Sequence, residues 1–290
     1  MKPEPPDAES LFAAHSRSYS AYQYVYPVLS RRSRGISIGV NLNRDKACTF
    51  RCVYCQVDRT TPGVDDPIDF DRLAAELDHA IGLVQSGELF EGPQFGRTPP
   101  ELRRLNDIAL SGDGEPTMCP EFEKAVAVCA DARKRHALDD VKLVLITNSS
   151  LLDRESVARG LELLDANNGE IWAKLDAGTE AYYQQVDRSA VPFARILENL
   201  RETARKRPIV IQTLWMRLLD RGPSRDELEA YCRRLVELIE AGGRIKLVQI
   251  HTVARVPAES WVGPLSTGEL NAIAELVRGR TGLPVAVFGA

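Results

Sequence analysis

Cys48-Thr49-Phe50-Arg51-Cys52-Val53-Tyr54-Cys55 is the stretch on which the reading of this 290-residue chain turns. Its three cysteines stand in a C-x3-C-x2-C spacing, with an aromatic residue just before the last. Three thiolates on one short loop can hold a soft metal centre and leave one position open to another ligand. Iron-sulfur clusters are usually held by four cysteines, and no fourth lies near these three in the sequence. Two other uses of the same residues are weaker. A structural zinc site wants two paired knuckles and four closed ligands, and no second C-x2-C occurs here. A disulfide framework belongs to short, cysteine-dense secreted domains, whereas this chain carries six cysteines over its whole length.

Outward from the loop, the sequence alternates strand and helix patterns. Ile36-Ser-Ile-Gly-Val-Asn-Leu42 has period two and reads as a first strand, from whose C-terminal end the cysteine loop would hang. From Asp71 to Val84 a helical face collects Leu73, Leu77, Ile81 and Val84. A loop of about 20 residues follows, rich in glycine and proline, long enough to be an insertion with a task such as a lid. Asp107-Ile-Ala-Leu110 is the second strand, a helix spans about 120–135, and Val141 to Thr147 is a nearly continuous apolar third strand, as for one covered on both faces. Asp153 is placed to cap a helix bearing Val157, Leu161 and Leu164. Strand Glu170–Asp176, a helix over about 193–205 and strand Ile209–Leu214 continue the alternation. Ser224-Arg-Asp-Glu227 reads as a capping box that opens a helix ending at Gly242-Gly243. Lys246–His251 is a sixth strand, and 266–278 and 284–288 add one helix and one strand. Cys129 and Cys232 fall on buried helix faces, where a free thiol acts as a small hydrophobe.

Strict β-then-α alternation implies a parallel sheet with right-handed crossovers and an outer layer of helices. Six such units fall short of the eight of a closed barrel. In parallel barrels the C-terminal strand ends share one mouth, where active sites sit, so the residues after each strand are the candidate site. After strand two comes Ser111-Gly112-Asp113-Gly114-Glu115-Pro116-Thr117, whose glycines let the backbone approach a ligand. After strand three, Thr147-Asn148-Ser149-Ser150 offers short polar groups suited to a ribose or a carboxylate. Lys174 and Asp176 alternate with Leu175 and so point the same way; the lysine could serve catalysis or substrate contact, or simply form a structural ion pair. Gln212 on strand five and His251 at the end of strand six complete the ring. His251 could bind a ligand or move a proton, or be a hydrogen-bonded core histidine. Cys119, beyond the glycine turn, could donate a hydrogen atom or ligate a second cluster, although one cysteine cannot hold a cluster alone.

The spacing Cys48, Cys52, Cys55 with Tyr54 between, followed one strand later by Gly114-Glu115-Pro116, resembles the radical S-adenosylmethionine (SAM) superfamily over about residues 35–255. Ser33–Leu42, the cysteine stretch with Gln56, and Lys174-Leu-Asp-Ala177 are similar to a subgroup related to the tRNA wyosine-base synthases. Those synthases carry upstream cysteines for a second cluster, and this chain has none before Cys48, so the wyosine reaction is not carried over. The resemblance implies a partial (β/α)6 barrel over 35–255, flanked by an N-terminal extension at 1–34 and a C-terminal extension at 256–290 packed on the barrel. It implies a 4Fe-4S cluster on Cys48, Cys52 and Cys55, with SAM on the remaining iron. Tyr54 would pack near the adenine. The Gly112, Asp113 and Gly114 backbone with Glu115 would take the amino group of SAM, and Thr147, Asn148, Asp176, Gln212 and His251 would line the rest of its site. Asp113 stands where the commoner motif has glycine. Flavodoxin or ferredoxin would supply the electron, and the radical would take hydrogen from a substrate at the mouth.

Composition narrows the partners. Lys plus Arg number 37 against 41 Asp plus Glu, a formal charge of −4, with a pI near 5.7, so there is no global pull toward nucleic acid or anionic membrane. That balance favours a small-molecule substrate. A tRNA or a peptide substrate and, in a different class, a non-catalytic iron-sulfur or zinc module are the competing readings. Between Ser10 and Asn43 no acidic residue occurs, and Arg17, Arg31, Arg32 and Arg34 interleave with Tyr19, Tyr22, Tyr24 and Tyr26. Such a segment could grip an anionic partner or pack its tyrosines on the open edge of the barrel. The proline-rich residues 1–10 are expected to be loose, and the start has no apolar signal region, which with reduced thiols points to the cytoplasm.

Overall fold

The computed structural model describes residues 19–257 and 259–289; the expectations for residues 1–10 and for Arg17 lie outside them. The chain opens with β1 (Val25–Ser30), antiparallel to β2 (Gly35–Val40) in a register that sets Val25 opposite Val40. Helix α1 (Phe70–Ser86) and strand β3 (Leu105–Leu110) follow, then α2 (Phe122–Arg135), β4 (Lys142–Thr147), α3 (Glu155–Asp165) and β5 (Gly169–Lys174). The second half has α4 (Glu180–Val186), α5 (Phe193–Lys206), β6 (Ile209–Leu214), β7 (Arg217–Leu218), α6 (Arg225–Glu240) and β8 (Ile245–His251). It ends with β9 (Val262–Gly263), α7 (Thr267–Thr281) and β10 (Val285–Phe288). The main sheet runs β1-β2-β3-β4-β5-β6-β8-β10. Pairs β2/β3, β3/β4, β5/β6, β6/β8 and β8/β10 are parallel. This is the mixed α/β architecture of an open, mainly parallel sheet expected for a partial (β/α)6 barrel.

Two compact units make up the chain: Met1–Ala47, Gly63–Leu145 and Ser156–Gly169 form the first, and Cys48–Pro62, Ile146–Glu155 and Glu170–Ala290 the second. In the first, α1 buries Leu73, Leu77, Ile81 and Val84 as its periodicity predicts, and its N-cap Asp69 accepts from the Arg72 N–H. Glu76, on the same helix, is buried because its carboxylate takes the N–H groups of Gln23, Tyr24 and Val25 at 2.8–3.2 Å. That capture of free donors at the start of β1 explains a strand that the tyrosine-rich pattern did not announce. The glycine- and proline-rich loop after α1 is packed rather than open: it carries two single-turn 3-10 helices and buries Leu89, Phe90, Phe95 and Leu102.

In the second unit, Ser224 caps α6 by accepting from the Glu227 N–H, but Glu227 does not complete the expected capping box. Its carboxylate instead receives the backbone of Gly178 and Thr179 and the Thr179 hydroxyl, joining α6 to the turn that opens α4. A complete box occurs at α7, between Ser266 and Glu269. Asp153 pairs with Arg195 at 3.3 Å. Cys129 and Cys232 are buried, as their helix positions require. Among the described residues no helix is long and apolar enough to cross a membrane.

Candidate functional site

The cysteine loop is held along its length by the second unit. The Arg51 and Val53 N–H groups donate to the Asp187 and Val186 carbonyls at 2.9 Å, so the loop pairs with the C-terminal end of α4. The Thr49 hydroxyl lies 2.7 Å from the Ser150 hydroxyl and receives the Asn148 side-chain N–H2 at 2.8 Å, while its carbonyl accepts from Ser189. Cys48, Cys52 and Cys55 are all half-buried rather than sealed in the core. The Cys48 sulfur receives the Phe50 N–H at 3.4 Å and the Asn148 side chain at 3.7 Å, and the Cys52 thiol donates to Asp187 at 3.4 Å. Burial pushes the Cys52 thiol pKa up, and the Asp187 carboxylate adds to the rise.

Asn148 and its neighbours therefore act first as a clamp. The Thr147 hydroxyl accepts the Ser149 N–H and the Asn148 side-chain oxygen accepts the Ser150 N–H, which curls the end of β4 into a tight turn. Ser149 takes a left-handed φ of 69° there, and its carbonyl is held by Asn199. The short polar side chains at this strand end, expected to bind a ribose or a carboxylate, contact the cysteine loop, their own turn and the Lys174 carbonyl.

Asp176 departs furthest from its expected role. Its side chain is 0% exposed and its carboxylate takes three donors: the Lys174 ammonium at 2.9 Å, the Tyr54 hydroxyl, and the Leu214 N–H at 2.8 Å. A carboxylate so enclosed and so occupied fixes its neighbours. Tyr54 is correspondingly an anchor: its ring packs on Val53, Val186, Met216 and Leu218 and carries the Lys174 ammonium 4.8 Å from its centroid. Burial lowers the Lys174 pKa, but the carboxylate of Asp176 and the groups of Cys52 and Asp187 outweigh it, and the net direction is up. The lysine is thus a charged, paired group.

Gln212 and His251 also differ from their expected contacts. Gln212 on β6 donates to the Gln249 side chain, its register partner on β8, at 2.8 Å. His251 stacks on Phe288 of β10, with centroids 4.8 Å apart and planes 12° from parallel. Both contacts are to the neighbouring strand of the sheet.

The first unit carries the glycine turn. Gly112 has φ of 151°, and a Cβ there would come 2.4 Å from the Asn41 side-chain oxygen; at Gly114 it would come 2.0 Å from the Ala47 carbonyl. The turn is therefore pressed against residues 41–47, and the Glu115 N–H donates to that same Ala47 carbonyl at 2.9 Å. Asp113 is turned aside by a reciprocal pair with Asn41, accepting its side-chain N–H2 at 2.8 Å while giving its own N–H to the Asn41 oxygen at 3.2 Å. Glu115 is buried and caps a short turn by accepting from the Thr117 N–H and hydroxyl. Cys119 is buried beside this turn, with its thiol pKa pushed up to about 11 by burial. Among the described residues no group of three or more His, Cys, Asp or Glu converges on one point as a single-ion site requires.

Two residues that the sequence reading missed matter here: Asp187, which meets Cys52, and Asn41, which holds the glycine turn. No motif marks either, because each is paired only through the fold.

Comparisons with known proteins show the family to which the chain belongs. The Radical SAM superfamily model matches residues 43–235. A UPF0026 protein of Methanocaldococcus jannaschii is 27% identical over 165 residues, covering 56% of this chain and 43% of that protein. The chain spans less than half the length of the curated relatives it matches. A spore photoproduct lyase variant superposes with a TM-score of 0.57 at 11% identity, covering 94% of this chain and 81% of that one. Archaeal TYW1 matches 86% of this chain and 73% of its own with a TM-score of 0.46 at 16% identity. The family match spans most of the chain, from the segment before the cysteine loop into α6, and the chain is an enzyme of the radical SAM superfamily.

Proposed function

We propose that Cys48, Cys52 and Cys55 hold a 4Fe-4S cluster and that the enzyme acts by hydrogen abstraction from a small-molecule substrate. Enzymes of this superfamily use a 4Fe-4S cluster and SAM, and they require a reductant and a substrate. The residues present fit the cluster. Three half-buried cysteines share one loop, and backbone and amide N–H groups reach the Cys48 sulfur, a contact that favours the charged sulfur of a cluster ligand. When bound, the cluster supplies one electron that splits SAM into methionine and a 5'-deoxyadenosyl radical.

The chain's own part is to hold and shield. Thr49, Asn148 and Ser150 fix one end of the loop, and the Val186 and Asp187 carbonyls fix its middle. Tyr54, locked by Asp176, fixes the segment between Cys52 and Cys55. Glu115 and the Gly112–Gly114 backbone offer the acceptors that suit an ammonium group such as that of SAM. The acidic balance of the chain favours a small molecule over a polyanion. Flavodoxin or ferredoxin fits the reductant.

The observation that carries this reading is the cysteine loop itself, anchored at three places and carrying three half-buried cysteines. Anaerobic reconstitution with iron and sulfide, followed by dithionite and SAM, tests it. Formation of 5'-deoxyadenosine that is lost in Cys52→Ala is the expected result. A reconstituted cluster that neither binds nor cleaves SAM overturns it, and tight RNA binding that weakens steeply with salt would replace the small-molecule substrate with a nucleic acid.

A further inference from the structure

A cavity of about 520 Å³ lies in the second unit, bounded by α4, the turn after β7 and Trp261 just before β9. The volume falls within the range of small-molecule sites, roughly 300–1,000 Å³. Tyr182, Trp261, Leu218 and Pro223 make its walls aromatic and apolar, and among the described residues Arg221 is the one charged side chain that lines it. Arg217, four residues earlier, is paired with Glu269 at 2.5 Å. The Arg221 guanidinium has no such partner among the described residues.

Tyr182 supplies an independent observation. Its hydroxyl is enclosed yet has no hydrogen-bond partner among the described residues. Buried polar atoms are nearly always partnered. Burial also pushes the pKa of this hydroxyl up, so it keeps a proton to donate.

The turn carries a third. Leu218 and Arg221 exchange both backbone hydrogen bonds, at 2.9 and 3.0 Å, and so close a two-residue turn of Leu219 and Asp220. Both residues have positive φ, 49° and 62°. Such turns favour Asn, Asp and Gly, and a leucine is strained there. Leu219 is also 72% exposed, yet it lines the cavity, and its N–H is held by the Trp261 carbonyl at 2.9 Å. An apolar side chain that costs the fold both strain and exposure has a reason at the rim of a binding site.

We propose that this cavity binds a small organic anion, a carboxylate on an apolar or aromatic body. Arg221 pairs with the carboxylate, the body lies against Trp261, Leu219 and Pro223, and the Tyr182 hydroxyl donates to an oxygen of the ligand. Among the described residues no acidic side chain lines the cavity to oppose that charge. Tyr182, Leu218 and Trp261 also belong to the apolar cluster that seats Val53 of the cysteine loop, so the site borders the packing of the loop without using its thiols. It requires no cluster, and its failure would leave the cluster reading untouched.

Phenylacetate and indole-3-acetate are the probes, with phenylacetamide and indole-3-acetamide as neutral counterparts and acetate as the bare anion. Binding to the full chain, with and without reconstituted cluster, is read by ligand-observed NMR and calorimetry. The two acids are expected to bind more tightly than their amides. Arg221→Gln should weaken the acids by roughly two- to fivefold and leave the amides unchanged. Tyr182→Phe should weaken both classes. Leu219→Asn, which suits the turn better, should raise the melting temperature while weakening acids and amides alike, a split that a merely structural leucine would not give. Acids and amides binding alike, no binding of any probe, acetate displacing phenylacetate at equal concentration, or self-association of the chain through Leu219 in place of ligand binding would each overturn the proposal. Arg221→Gln and Leu219→Asn, both at exposed positions, decide it even if Tyr182→Phe fails to fold.

Discussion

The Tyr54 hydroxyl donates to the Asp176 carboxylate, tying the cysteine loop to the end of β5. The same carboxylate neutralises Lys174, whose side chain is only 21% exposed, so one acidic group supports both a loop and a buried cation. Removing one partner of such a pair leaves an uncompensated charge. Asp176→Ala is therefore expected to cost about 3 kcal/mol or more, and Tyr54→Phe about 1 kcal/mol. Adding Lys174→Met to Asp176→Ala should recover part of the loss. Urea unfolding of the four proteins checks the order, and equal losses for the two single variants would contradict it.

Asn148→Ala separates the clamp from the cluster. The substitution removes the donor to Thr49 and Cys48 and the acceptor for the Ser150 N–H. Stability should fall by about 1–3 kcal/mol, and iron retained per chain after anaerobic reconstitution should drop while far-ultraviolet circular dichroism stays native. Full iron loading in this variant would show that the loop holds its shape unaided.

Gly114→Ala tests the close approach of the glycine turn to residues 43–47. The new Cβ would meet the Ala47 carbonyl at 2.0 Å and the Asn43 Cβ at 2.6 Å, so the two backbones must part. The expected cost is about 1–3 kcal/mol, with faster hydrogen exchange at the Glu115 amide, whose bond to Ala47 is broken. An unchanged exchange rate would mean that the turn moves as a unit.

Asp107 gives a pH dependence. It is buried in β3, and burial raises its pKa despite the hydrogen bond from Ser37. A folded pKa above the unfolded value of about 3.9 means that the folded chain binds the extra proton. Its contribution to stability therefore falls as pH rises from that unfolded value through the folded one. Asp107→Asn should be more stable than the parent at neutral pH, with the advantage shrinking as pH falls toward 4. Thermal melts across that range check the slope, and a parent that gains stability as pH rises there would refute it.

The sequence by itself determined the superfamily motif, the alternation of strands and helices, and the apolar faces of α1, α3 and α6, because these depend on spacing along the chain and on local periodicity. It placed the glycine turn and the cysteine loop at strand ends for the same reason. It did not determine what the polar side chains at those ends would do. Asp176, Asn148 and Gln212 look alike as candidate ligands when only their position on or after a strand is known, and Glu227 reads only as a capping-box residue. Their roles were decided by partners far away in sequence: the Tyr54 hydroxyl, which donates to Asp176, the Thr49 hydroxyl, which accepts from Asn148, the Gln249 oxygen, which accepts from Gln212, and the Gly178–Thr179 backbone, which donates to Glu227. Burial makes an unmatched polar group costly, so each of them takes whichever partner the tertiary structure brings within reach, and that choice is written in no local pattern.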